Sequence, residues 1–173
     1  LYIYTKKTPG QPYLWLFDRI VIIVSLGASL IRVGNFFNSE IIGKPTHSNW
    51  GVVFTRIDNL PRHPAQLYES ASYFLIFWVL LLLYLKLDTV KKQGLLFGIF
   101  LSLAFTSRFL IEFLKENQTA FEETLPLNMG QILSIPGFAL GIFLIVYSLK
   151  RTVPVETDRR LPTSKKKKQK KRK

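Results

Sequence analysis

Four stretches of this chain are almost free of polar positions: residues 14–31, 67–85, 94–114 and 132–149. Each approaches the ~20 residues that a helix needs to cross a hydrocarbon core of roughly 30 Å. A buried helix of a water-soluble protein would carry a polar stripe at helical period, and the run YFLIFWVLLLLYL at 73–85 carries none. The pattern predicts an all-α integral membrane protein, with a bundle of four transmembrane helices over this length. Charge inside the runs is sparse. Asp18 and Arg19 lie near one end of the first, Glu69 opens the second, Arg108 and Glu112 fall late in the third, and the fourth has none.

The connections orient the bundle. Lys6 and Lys7 precede the first span, Lys86, Lys91 and Lys92 link the second to the third, and KKKKQKKRK ends the chain. The positive-inside rule makes those three segments cytoplasmic, so residues 32–66 and 115–131 are expected outside. Composition then stops being puzzling: a net charge of +13 is odd beside 48% hydrophobic residues and a mean hydropathy of +0.18. The last 24 residues hold 12 Lys and Arg against Glu156 and Asp158, a net +10, which leaves a nearly neutral body. The expected division is a transmembrane bundle over 1–149 and a polybasic cytoplasmic tail over 150–173. A lysine run beside a membrane face meets anionic lipid or stays solvated, so the lipid bilayer is an expected partner and nucleic acid is not. The absence of cysteine says nothing about compartment. The chain opens on Leu1 without a signal-peptide pattern, and an N-terminally incomplete sequence is expected.

With this topology, three separate stretches deliver polar groups to one membrane depth: RVGNFFNSEIIG at 32–43, RHPAQLYE at 62–69, and Arg108 with Glu112. One Arg at the centre of a span costs on the order of 2.5–3.5 kcal/mol, so such residues face a bundle interior or a wet cavity. Each has a plainer explanation. Arg108 and Glu112, four apart, can neutralise each other. Arg32 can snorkel to headgroups, His63 ahead of Pro64 can brace its loop, and Asn35 and Asn38 can be turn residues. Asp18 and Arg19 are adjacent, point to different helix faces, and are expected to pair structurally with other helices. The convergence of two arginines, several carboxylates and several amides exceeds what bracing needs. Arginine presents a planar fork suited to phosphate, and two at headgroup level point to a phospholipid. No metal-ligand spacing, nucleophile elbow or phosphate loop is visible, and no cofactor or metal is expected.

RVGNFFNSEIIG closely resembles the signature of the bacterial prolipoprotein diacylglyceryl transferase family, with Arg32, Gly34, Asn35, Phe36, Phe37, Asn38, Glu40 and Gly43 at its positions; Ile31 stands where the family usually has Gly. RHPAQLYE is similar to the family's His-Pro-Ser/Thr-Gln-Leu-Tyr-Glu segment, SRFLIEFLKE to its Arg-Phe-x-x-Glu-Phe helix, and MGQILSIP at 129–136 to the entry of its last helix. The resemblance implies a seven-helix enzyme of the bacterial cytoplasmic (inner) membrane, with its active site toward the outer leaflet and its C-terminus cytoplasmic. Its partners are phosphatidylglycerol and the lipobox of a prolipoprotein signal peptide. The implied reaction transfers the diacylglyceryl group to the lipobox cysteine thiol, forming a thioether and releasing glycerol phosphate. It implies Arg32 and Arg108 as the catalytic phosphate-side residues, with Glu112 orienting Arg108. Arg32, Asn35, Asn38, Glu40, Gly43, His63, Tyr68 and Glu69 are implied for substrate binding. The family's His-Gly-Gly segment, proposed to supply the base, lies upstream of Leu1, and Ala104 stands where the family often has an aromatic residue. A non-catalytic phospholipid-binding subunit or a transporter is the competing class; the uncharged inner halves of the last three spans speak against a through-path.

Overall fold

The computed structural model describes residues 12–86, 92–116 and 127–151. Four helices make up most of it: α1 Tyr13–Phe37, α2 Ala65–Lys86, α3 Leu95–Glu112 and α4 Met129–Lys150. All four are long and apolar enough to cross a membrane, and at most 33% of any apolar window is buried. Ile23, Leu75, Leu85 and Phe143 are among the large apolar side chains left on the outside. A water-soluble bundle would hide such residues, whereas a bundle in lipid presents them to its solvent. The chain is a multi-pass helical membrane bundle. Lys6, Lys7, Lys91 and the tail over 152–173 lie outside the described residues.

Val21 and Ile22 of α1, Ile76 and Leu80 of α2, and Leu96 and Ala104 of α3 form the buried apolar centre. Small residues close the remaining contacts, as expected where lipid supplies no hydrophobic drive between helices. Ser29 Oγ of α1 lies 3.0 Å from Ser70 Oγ of α2. α3 and α4 pack most extensively, and a Cβ on Gly98 would sit 2.9 Å from the Gly141 carbonyl.

Three helices run past their apolar stretches to take in polar residues, whereas α3 stays within its own at Leu95–Glu112. The largest departure is at α1, which continues through Phe37 instead of stopping at residue 31, so Arg32 to Phe37 of the first motif are helical. It stops by a C-terminal capping arrangement in which Ser39 N–H donates to Phe36 O and Glu40 N–H to Asn35 O, at 3.1 and 2.9 Å. That geometry needs a left-handed residue just beyond the helix, and Ser39 supplies it with φ 57°. Ile41 is left-handed too, φ 53°, which is rare for a β-branched residue and marks a tightly constrained turn. α4 starts three residues before its apolar run because Asn128 and Gln131 form a reciprocal capping box. Between α1 and α2 a two-stranded antiparallel ribbon, β1 Val52–Val53 and β2 Pro61–Arg62, folds the loop back over the helix ends; nothing in the apolar pattern predicts so short a ribbon.

Candidate functional site

Three chain segments meet just beyond the ends of α1 and α3 and just before α2. Gly43 N–H donates to His63 O at 3.1 Å, His63 N–H to Lys44 O at 3.0 Å, and Lys44 N–H to Leu114 O at 2.8 Å. Gly43 and Lys115 form an antiparallel bridge. The approach is so close that a Cβ on Gly43 would overlap His63 O, which explains glycine at the end of the first motif. α4 joins the same end: Asn128 Nδ2 donates to Glu112 O at 3.4 Å, and a Cβ on Gly130 would press within 2.5 Å of the Glu112 carboxyl carbon.

Charged side chains from three helices or their ends converge beneath this backbone junction. Arg32 Nε of α1 lies 3.0 Å from Glu69 Oε2 of α2, an ion pair without the alignment of a hydrogen bond. Lys115 Nζ lies 2.9 Å from Glu69 Oε1 and 3.1 Å from Glu112 Oε2 of α3. Glu69, Glu112 and Lys115 are all buried, with 2%, 7% and 3% of their surfaces exposed. Such burial costs several kcal/mol per ion unless every charge is paired, and here two cations face two carboxylates in one continuous, neutral chain.

Arg108 is left over. It sits four residues before the end of α3, and Arg32 five before the end of α1, so at 1.5 Å per residue both lie about 6–8 Å below their helix ends. Each arginine thus lies about one to one and a half turns from the end of its own helix. The expected pairing of Glu112 with Arg108 is not: Glu112 turns forward to Lys115, and among the described residues no carboxylate reaches Arg108. The Arg108 Nε is buried with no hydrogen-bond partner. Within one turn of it, an apolar groove of about 250 Å³ opens between α3 and α4, lined by Phe105, Phe109, Leu110, Ile135 and Phe138.

The remaining predicted residues form the rim. Asn35 is half-buried, and Asn38 and Glu40 are exposed on the turn after α1. Gln66, fully buried at the start of α2, donates through Nε2 to Glu40 O at 2.6 Å and so fixes that turn. Tyr68 Oη accepts from Trp50 Nε1 at 3.0 Å and lies 3.4 Å from His63 Nδ1, so His63 braces the loop through both ring and backbone. Arg62, which motif reading passed over, clasps the loop: its guanidinium donates to Asp58, to Gly43 O at 3.2 Å and to Glu116 at 2.9 Å. Asp58 holds the Arg62 guanidinium above its ordinary pKa, and Arg62 holds the Asp58 carboxyl below its own. Lys115 was also passed over, although its i,i+3 spacing from Glu112 was a signal for a pair on one helix face. No cluster of metal-ligating side chains occurs among the described residues.

Comparison with known proteins agrees with the motif resemblance. A family profile described as prolipoprotein diacylglyceryl transferase matches residues 1–147. A phosphatidylglycerol–prolipoprotein diacylglyceryl transferase of Chloroherpeton thalassium is 51% identical over 151 residues, 87% of this chain and 56% of that protein. The protein of the same name in Tolumonas auensis is 49% identical, over 87% of this chain and 58% of its own length, and that of Bacteroides fragilis 46%, over 88% and 55%. The chain thus spans somewhat more than half the length of these relatives. No solved structure matches.

Proposed function

The chain belongs to the prolipoprotein diacylglyceryl transferase family, and from that premise we propose that it moves the diacylglyceryl group of phosphatidylglycerol onto the lipobox cysteine of an exported prolipoprotein. The observation that carries this is the buried, unpartnered Arg108 Nε beside a charge network that is otherwise neutral. Among the described residues the site holds one guanidinium in excess, complementary to one phosphodiester. In the reaction the thiolate attacks the glycerol carbon that carries the phosphate, a C–S bond forms, the C–O bond breaks with its electron pair going to oxygen, and glycerol phosphate departs. No electron acceptor is needed, so the step balances without a cofactor.

The chain's own residues supply the phosphate side. As negative charge grows on the departing phosphate, preorganised donors in a water-poor site stabilise it, each worth ~10²–10³ in rate. Arg108 offers such donors directly. Arg32, fixed by Glu69, adds a second guanidinium. The Gly43 junction and the Asn35 to Glu40 turn shape the rim where the headgroup enters, and the groove between α3 and α4 offers apolar surface to an acyl chain. The thiol must lose its proton, because the thiolate is the nucleophile; His63, tied to Tyr68 and the backbone, is built as a brace. The lysines flanking the spans favour a site facing the outer leaflet of the cytoplasmic membrane and a cytoplasmic C-terminus.

The test is direct. The full chain as its gene encodes it, in phosphatidylglycerol vesicles with a lipobox peptide, should add the diacylglyceryl mass to the peptide cysteine and release an equal amount of glycerol phosphate. Lipid binding without either product would overturn the transferase reading in favour of a binding subunit.

A further inference from the structure

Lys115 lies outside the helices and outside the residues that the motifs single out, yet it is 3% exposed and touches carboxylates from two of them. A lysine just past a helix end ordinarily reaches solvent, since its ammonium is strongly hydrated. Here its backbone is bridged to Gly43, its N–H donates to Glu112 O at 3.2 Å, and its side chain turns inward. The consequence falls on Glu112. That carboxylate stands four residues after Arg108, the spacing at which the two attract on a helix, but Lys115 draws it the other way.

We infer that Lys115 is a positioning residue that keeps Glu112 off Arg108 and so leaves the Arg108 guanidinium open to the lipid phosphate. The inference rests on the phosphate role proposed for Arg108. It differs from simple bracing in what it predicts for the charge left behind. With Lys115 gone, Glu112 has Arg108 as its available partner and competes with the phosphate for it. With both Lys115 and Glu112 neutral, no competitor remains, and Glu69 keeps Arg32.

The experiment measures equilibrium binding of short-chain phosphatidylglycerol to the full chain in detergent, with phosphatidylcholine as the control lipid. K115M should weaken binding of phosphatidylglycerol about tenfold, while E112Q/K115M should restore it to within about threefold of the parent. K115R, which retains a cation, should stay near the parent. If K115M does not fold, the double variant alone decides, because it buries no orphaned charge: affinity near the parent supports the inference, and affinity lowered tenfold overturns it. Unchanged binding by folded K115M, or a double variant as weak as K115M, also overturns it and returns Lys115 to a structural role. These outcomes are read without turnover. Absence of thioether product from the parent chain defeats the transferase reading, and absence of phosphatidylglycerol binding by the parent defeats the phosphate role and this inference together.

Discussion

Each end of the helix bundle buries carboxylates, and the two ends use them in opposite ways. At one end Asp18 of α1 reaches across to the start of α3, where its two oxygens accept N–H groups of Gly94 at 2.6 Å and Phe97 at 2.8 Å. These are orphan donors of a helix N-terminus, so the carboxylate acts as a cap lent by another helix. Arg19 beside it donates to Trp15 O at 2.8 Å, lies 3.5 Å over the Trp15 ring and reaches α2 at 5.6 Å from the Tyr84 ring centroid. Each Asp18 oxygen has a fixed donor, and the structural role expected for it holds. At the other end two carboxylates and two cations neutralise one another, and a further arginine keeps a buried donor unpaired. The Asp18 brace uses up both of its carboxylate oxygens. The end proposed to take the lipid phosphate leaves the Arg108 Nε unspent.

The most severe way to break that contrast is to alter the arginines. Arg108→Lys and Arg32→Lys should each lower transfer by at least ~10²-fold, because an ammonium is a point charge that cannot reproduce the guanidinium fork. Arg108→Lys should do so with little change in thermal stability, since the residue it replaces holds no carboxylate among the described residues. Near-normal transfer by both variants, followed as thioether formation in phosphatidylglycerol vesicles, would remove the phosphate role. Gly43→Ala should act through the backbone: its Cβ would meet a carbonyl that cannot rotate away, at a cost toward the upper end of ~1–3 kcal/mol. Hydrogen exchange should report the loss at the Gly43, Lys44 and His63 amides and leave the Gly94 and Phe97 amides protected. Equal deprotection at both ends would show that they are one cooperative unit.

The contrast between the ends was only half legible in the sequence. The four helices and the meeting of Arg32, Glu69 and Glu112 at one end could be read because uncompensated charge in an apolar run has few physical explanations. Asp18 could be read as structural from its adjacency to Arg19, but its partners are backbone amides 76 and 79 residues away, and backbone donors carry no sequence signature. The extension of α1 to Phe37 was hidden because an apolar count ends at a charge, whereas a helix ends where its carbonyls find other donors. Glu112 had two candidate partners, one turn back and three residues on. The choice was made by Glu69 on a different helix, which holds Lys115 in place. Lys115 itself reads in the sequence as one more cation in an external loop.

A smaller effect is expected at the capped end. Asp18→Asn keeps one acceptor and turns an amide N–H₂ toward a backbone donor, so about 1–2 kcal/mol of stability should be lost. The variant should melt lower in detergent yet bind phosphatidylglycerol with the parent's affinity when measured well below its midpoint. A weakened affinity in the folded variant would mean that the start of α3 communicates with Arg108 at the other end of the same helix, and the separation drawn between brace and site would fail.

The smallest effect should appear in the loop that covers the site, and it carries a sign. Hydrogen bonds from Arg62 and then from Leu60 N–H hold the Asp58 carboxyl below its ordinary value of 3.8. A group whose pKa is depressed on folding contributes stability that is fully present above the unfolded value and disappears as pH falls through the folded one. The clasp between Asp58 and Arg62 should therefore be intact at neutral pH and loosen only below about pH 4. Asp58 is only half-buried, and solvent screens it, so the change should be confined to the loop. Amides that depend on this clasp, Thr46 bonded to Pro61 O and Gly43 bonded to His63 O, should exchange faster at pH 3 than at pH 6 once the intrinsic rate is corrected. Asp58→Asn should show the faster exchange at both. A loop equally protected at pH 3, or an Asn variant that still loosens with acid, would assign the clasp to Glu116, the other carboxylate on Arg62.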